Sequence, residues 1–212
     1  MSHKSGLQRT GLAVAALLLT TVYSAPALAQ SALVTSPAAV QPGAYKVEPG
    51  HTRMLFAVSH MGFTTWYGDF TGASGSLQLD AAKPADSRIE ISVPTASVST
   101  TNPTLDGELK SADWFDAARF PTITFKSRQV TVTSPGRADV LGDLTLHGVT
   151  RPVTLHARFN GAGINPLDKA YTVGFEVSGH IKRSEFGVTK YVPLIGDDVD
   201  LILSAAFEKV AP

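Results

Sequence analysis

The sequence predicts an all-β fold: an antiparallel, up-and-down β-barrel with one short helical insertion. Apolar and polar residues alternate with period two in many short segments from Ala44 onward, which is the signature of half-buried strands. No helical pattern recurs between these segments to build parallel βαβ units. The 212 residues contain no cysteine, so the core must be stable without disulfides or thiolate-bound metal. An antiparallel sheet of many strands has to hide its edges, and closure into a barrel does so most completely. A β-sandwich would show the same alternation, and periodicity alone leaves it open.

The N-terminus stands apart from this pattern. Lys4 and Arg9 precede an apolar run of 11 residues, Leu12 to Val22, that leads to Ala27-Leu28-Ala29. The run is shorter than the roughly 20 residues a membrane-spanning helix needs, and a basic start with an Ala-x-Ala ending fits a secretory signal peptide over residues 1–29. Export to a bacterial periplasm is the expectation that follows. Cleavage after Ala29 would leave 16 basic and 18 acidic residues, a slightly negative protein with no electrostatic attraction to anionic lipid. Residues 30–43 (QSALVTSPAAVQPG) are small, polar or proline and read as a flexible lead-in. The barrel domain is placed at 44–212.

Within that domain, alternation marks Met54-Phe56-Val58, Leu77-Leu79, Ile89-Ile91-Val93 and Ile123-Phe125. It continues at Leu144-Leu146, Val153 to Phe159, Val173-Phe175-Val177 and Val199-Leu201-Leu203. Turn residues separate the segments at Pro49-Gly50, Gly72 to Gly75, Lys83-Pro84, Pro135-Gly136, His147-Gly148, Asn165-Pro166 and Gly196-Asp197. The stretch Pro103 to Ala118 breaks the rhythm, with Leu105 and Leu109 at helical spacing, and is the helical insertion. Arg183 to Val188 is a second, shorter helical candidate. Lys169 to Ile181 is long enough to cover roughly 30 Å of a barrel axis at a tilt of about 40°. A barrel that tall holds either a packed core or an elongated apolar tunnel.

Several functions are disfavoured by the same residues. Eighteen basic and 18 acidic side chains are scattered through the chain, whereas nucleic-acid binding calls for a basic stripe. His51 and His60 are nine apart, as are His147 and His156, and no H-x-x-x-H or H-E-x-x-H occurs, so no metal is expected. Gly72-Ala73-Ser74-Gly75-Ser76 lacks the spacing and the strand-to-helix setting of a nucleophile elbow. Asp106, Glu108, Asp113 and Asp116 lie beside Trp114 and Phe115 without a calcium-loop pattern. They read as a solvated face whose two aromatic residues plug one barrel end.

Specific residues then carry a resemblance that covers essentially Ala44 to Lys209. They are His51-Thr52 with Phe56, Val58 and His60; Gly68-Asp69-Phe70 with Gly72; Ser111 to Asp116; and Phe120-Pro121 leading to Thr124-Phe125-Lys126-Ser127. The most specific is Gly142-Asp143-Leu144-Thr145-Leu146-His147-Gly148-Val149-Thr150-Arg151-Pro152-Val153, and Ile181, Arg183, Phe186-Gly187 and Gly196 to Val199 complete the set. In these the chain resembles the YceI-like family of exported lipid- and polyisoprenoid-binding proteins. It departs at Leu105 and Glu108, where similar sequences often have Arg and His.

The resemblance implies a lipocalin-like barrel whose interior holds an isoprenoid or other long-chain amphiphile, with no catalysis, cofactor or metal. The inward apolar set, Phe56, Val58, Leu77, Ile91, Phe125, Leu146, Leu155, Phe175 and Leu203, would fill a core in most small barrels. With the resemblance it becomes the lining of a ligand tunnel. His60 shares the face of Met54, Phe56 and Val58; it is either a satisfied structural histidine or a hydrogen-bond partner for a ligand head group. Arg183 and Lys190 are either surface charge or contacts for a head group at the barrel mouth. The expected function is periplasmic, non-enzymatic carriage or storage of a polyisoprenoid, a quinone among the candidates. A lipid-acting isomerase using His60, and an interaction module using Asp113 to Asp116, are the alternatives. Monomer and homodimer are both left open.

Overall fold

The computed structural model describes residues 33–211, so the expected signal peptide lies outside the described residues. Ten strands follow one another: β1 Gly43–Val47, β2 Arg53–His60, β3 Thr64–Phe70, β4 Ser74–Leu79, β5 Arg88–Pro94, β6 Thr122–Ser134, β7 Arg137–Leu146, β8 Val149–Ile164, β9 Tyr171–Lys182 and β10 Ile195–Lys209. One helix, α1, spans Pro103–Lys110. Eight strands close an antiparallel ring in the order β1-β4-β5-β6-β7-β8-β9-β10, and β10 returns to β1 through Phe207↔Val47, Glu208↔Lys46 and Lys209↔Tyr45. That last pairing makes the fold a barrel and not a sandwich.

The β2–β3 hairpin modifies the simple ring. It lies between β1 and β4 in sequence, yet β2 pairs with the remaining edge of β10 through Leu201↔Phe56 and Leu203↔Met54. The 15 residues of β10 are long enough to serve β1 near one end and β2 near the other. Beyond β2, β3 is tied to the segment before α1 by a reciprocal pair of 2.9 Å bonds between the backbones of Asp69 and Ser99. Buried Asp69 also pairs with Arg53.

Register follows local turn chemistry. His147 and Gly148 have φ of 52° and 73°, the left-handed pair of a type I′ turn whose twist matches the strands it joins. The turn sets Leu146 opposite Val149 and carries both faces of β7 and β8 in step from Leu144↔Arg151 to Val140↔Leu155.

Two boundaries differ from the sequence expectation. The helix expected over Pro103 to Ala118 stops at Lys110. Asn102 caps its start by accepting from the Thr104 and Leu105 amides, and after Lys110 the chain turns back, with Phe115 and Ala117 amides bonding to the Leu109 and Lys110 carbonyls. That reversal tucks Trp114 inward at 7% exposure. Gly196-Asp197, read as a turn, lies inside β10 where its register with β2 shifts between Ile195 and Val199. This is a bulge, held by Arg183 on the Ile195 and Gly196 carbonyls and by Ser184 on the Asp197 carboxylate. The second helical candidate forms a single 3-10 turn, Arg183–Phe186.

The two barrel ends are built differently. One is a packed seal around Val40, Tyr45, Ala162, Val173 and Phe207, with Val173 at 0% and Tyr45 at 1% exposure. Burial pushes the Tyr45 phenol up to about 12, and its hydroxyl donates to the Gln41 carbonyl. The described part of the lead-in belongs to this seal: Val34 pairs with Ala162, and residues Pro37–Ala39 form a 3-10 turn that leads to buried Val40. The other end carries α1, the β2–β3 turn, the β7–β8 turn and the Gly187 to Leu194 loop.

Candidate functional site

The barrel interior is hollow. A cavity of about 660 Å³ runs inside it, within the range of roughly 300–1,000 Å³ that small-molecule sites occupy. On β10 alone the wall includes Val199, Leu201, Leu203, Ala205 and Phe207. Eight residue steps at about 3.3 Å give a wall roughly 26 Å long measured along the strand. The lining is almost wholly aliphatic and aromatic.

All eleven residues singled out from the sequence border this one space. Phe56, Val58 and His60 come from β2, Leu77 from β4, Ile91 from β5, Phe125 from β6 and Leu146 from β7. Leu155 comes from β8, Phe175 from β9, Leu203 from β10 and Arg183 from the turn that follows β9. Strict alternation along each strand turns these side chains to one face, and closure of the ring brings the faces together. Phe56, Val58, Ile91, Leu155, Phe175 and Leu203 keep accessible area although they point inward, because they face open space and not one another.

Glycines shape the wall. A Cβ on Gly68 would come within 2.4 Å of the Phe56 ring, and one on Gly142 within 2.4 Å of the Phe125 ring. The tip of each ring therefore reaches over a neighbouring strand, into space that any larger residue there would fill. Gly179 does the same for Leu155, whose Cδ2 would stand 2.6 Å from an added Cβ.

Three lining residues are also exposed: Leu194 at 62%, Tyr191 at 53% and Met61 at 49%. They mark the mouth. Met61 sits at φ 54° in the β2–β3 turn and donates its amide to the Leu194 carbonyl, so the hairpin and the Gly187 to Leu194 loop are joined where the cavity meets solvent. Sequence reasoning missed this trio, since turn residues carry no periodicity. An apolar Met-Gly-Phe turn and the run Tyr191 to Leu194 were the available signal.

Polar groups gather toward the same end. Arg183 is 6% exposed and donates from Nε to the Gly196 carbonyl at 2.8 Å, from one terminal nitrogen to Val188 at 3.0 Å and from the other to Ile195 at 2.9 Å. Its guanidinium lies 5.3 Å from the Trp114 ring centroid. Burial pulls Arg183 below its ordinary value, opposed by the charge of Asp197. Its place is in the wall, pinning the loop of the mouth. Glu108, near the end of α1, borders the cavity and accepts from Trp114 Nε1 at 3.1 Å. Lys190 holds Asp113 at 2.7 Å. Asp106 serves α1 instead: hydrogen bonds from the Thr100 hydroxyl and amide hold its carboxyl below the usual range.

The histidines divide clearly. His51, His147, His156 and His180 each have a ring nitrogen bonded to an acid or carbonyl. His60 lines the cavity beside the Trp66 ring, at a centroid distance of 5.9 Å. Among the described residues no group of three or more His, Asp or Glu side chains converges to hold a metal. No described helix is long and apolar enough to cross a membrane.

Comparison with known proteins agrees with this architecture. The model of the YceI-like domain matches residues 45–207. A UPF0312 protein of Azotobacter vinelandii is 39% identical over 157 residues, covering 74% of this chain and 81% of that protein. The crystal structure of BcnA from Burkholderia cenocepacia superposes with a TM-score of 0.69 at 24% identity, over 76% of this chain and 98% of that one. A domain from Saccharophagus degradans described as polyisoprenoid-binding superposes with a TM-score of 0.57 at 15% identity, over 80% of this chain and all of the other. The two structures share the fold.

Proposed function

The chain belongs to the YceI-like family, and on that premise we propose that it is a periplasmic, non-enzymatic binding protein that carries or stores a polyisoprenoid or similar long-chain amphiphile, quinones included. The observation that carries this reading is the hollow barrel: an elongated, apolar space of about 660 Å³ where a barrel of eight strands is ordinarily filled by side chains. The polyisoprenoid-binding description of the Saccharophagus domain supports the same ligand class. Burial of about 0.8 kcal/mol per methylene means that ten methylenes supply roughly 8 kcal/mol, the scale of micromolar binding before association and ordering costs. Chain-length discrimination is then shallow, and the head group is left to the mouth.

Native mass spectrometry of the protein purified from the periplasm, followed by organic extraction, tests the proposal. The expected result is a stoichiometric prenyl or long-chain lipid. A ligand-free mass with no uptake of added prenyl lipid would overturn it.

A further inference from the structure

The rim of the cavity holds apolar side chains out into solvent. Beside Met61, Tyr191 and Leu194, which line the opening, the same two turns expose Phe63 at 83% and Val192. None of the five belongs to a buried core cluster. Residues 61–68 and 191–196 contain no charge, so pressing either turn into an apolar medium strips water from no ion. The exposure also runs against backbone preference. Met61 and Tyr191 have φ of 54° and 61°, left-handed conformations that favour glycine or asparagine. In the β7–β8 turn the matching position holds polar His147, packed edge-on against Phe120.

What covers the rim follows from where it lies. Both ends of the described chain leave at the seal, where Val34 pairs with Ala162 and the Val210 amide bonds to the Ala44 carbonyl. The described residues therefore supply no strap across the mouth. A protein seated on the rim would cork the cavity that the rim surrounds. It would also find few partners, because protein interfaces carry about one hydrogen bond per 100–200 Å² and the Tyr191 hydroxyl is the one polar side-chain group among the five. A lipid bilayer demands no such bonds and takes aromatic rings readily at its interface.

From these observations we propose that the mouth docks on a membrane surface, with the turns at 61–63 and 191–194 inserted among the lipids so that the cavity opens into the bilayer. The proposal rests on the carrier reading: a long apolar cargo then moves between bilayer and barrel without exposing its chain to water, the main cost of release. With no charge in the contact, attachment is set by apolar area and is nearly insensitive to salt and lipid charge.

The test sediments the delipidated protein with vesicles of phosphatidylcholine alone or with 30% phosphatidylglycerol, and separately measures geranylgeraniol uptake from vesicle-free solution. Binding to the two vesicles is expected to agree within about twofold at low and high salt. Phe63→Ser/Val192→Ser, which alters no cavity-lining residue, should weaken vesicle binding by at least about tenfold and leave solution uptake unchanged. Phe63→Ser alone should weaken it by about threefold or more and serves if the double variant does not fold. Leu167→Ser, at an apolar residue 90% exposed in the β8–β9 turn at the opposite end, should have no effect. Uptake of geranylgeraniol without vesicle binding overturns the docking proposal and leaves the carrier reading standing. So does an equal loss in Leu167→Ser, or full vesicle binding by the folded rim variants. A dimer that the rim variants dissolve, with no vesicle binding, overturns it in favour of a second copy on the rim. Failure to take up geranylgeraniol removes the carrier reading, and the docking proposal falls with it.

Discussion

The sealed end and the mouth of the barrel are made from the same strands and obey opposite rules. At the seal, Val40, Tyr45, Val173 and Phe207 are packed to between 0% and 5% exposure. At the mouth, Met61, Tyr191 and Leu194 are about half exposed or more, and polar side chains are engaged with backbone carbonyls and one another. Stability is concentrated where strand ends meet in register. Access is concentrated where β2–β3 and a bulged β10 interrupt that register. The two ends thus separate folding from binding within one sheet.

The largest expected effect lies at the seal. Phe207→Ala, which removes a ring packed edge-on against Phe175, should lower unfolding free energy by about 3–5 kcal/mol in denaturant titration. Leu194→Ala at the mouth should change it by less than about 0.5 kcal/mol. Comparable losses at both positions would break the contrast.

Tyr45 gives the seal a signature in alkaline solution. Its folded value of about 12 lies above its ordinary value, so the stability it contributes is fully present below about pH 10 and is lost as pH rises toward 12. Two units correspond to about 2–3 kcal/mol. Tyr45→Phe should remove that decline from the pH dependence of unfolding.

Added volume should sharpen the comparison further. Val173→Leu, at a position with no free surface, should destabilise by about 1–3 kcal/mol. Leu203→Trp, directed into the lumen, should leave the melting temperature nearly unchanged while prenyl-lipid affinity falls by about tenfold or more. A melting loss for Leu203→Trp as large as that for Val173→Leu would mean that the lumen is not open space.

The smallest effect is on the outer wall. The Asp200 and Asp198 carboxylates accept from the His180 ring and raise its value. Its contribution is present below about pH 6.5 and fades as pH rises through the raised folded value. Solvent screening holds it under about 1 kcal/mol. A proton NMR titration placing His180 at or below the ordinary histidine value would contradict this.

Legibility in the sequence followed the same division. Strands with an apolar residue at every second position, such as Val153 to Phe159 and Val199 to Leu203, declare both their existence and their inner face. β1 and β3 do not. β1 has five residues. β3 turns Gly68 inward, between Trp66 and Phe70, and exposes Tyr67 at 54%, which erases the alternation. The cavity wall could be read because period two and ring closure fix it. The mouth could be read only in part: Arg183 and Lys190 were assigned to it, but Arg183 reaches carbonyls 5 to 13 positions away, and backbone acceptors have no residue-type signal.

The placement of β10 sets the order of events in time. It is the last strand of the chain, and β9, β2 and β1 all take hydrogen bonds from it. Contacts between Tyr45 and Lys209 span nearly the whole domain, so the entropic cost of joining them is met late, after the local hairpins from β5 to β9 have formed. Until the 15 residues of β10 arrive, the chain is a curled sheet with two free edges and an uncovered apolar face, prone to pair with its own copies. A chain truncated before Ile195 is therefore not a smaller barrel. It is an arrested intermediate in which β9, β2 and β1 each lack the strand they pair with.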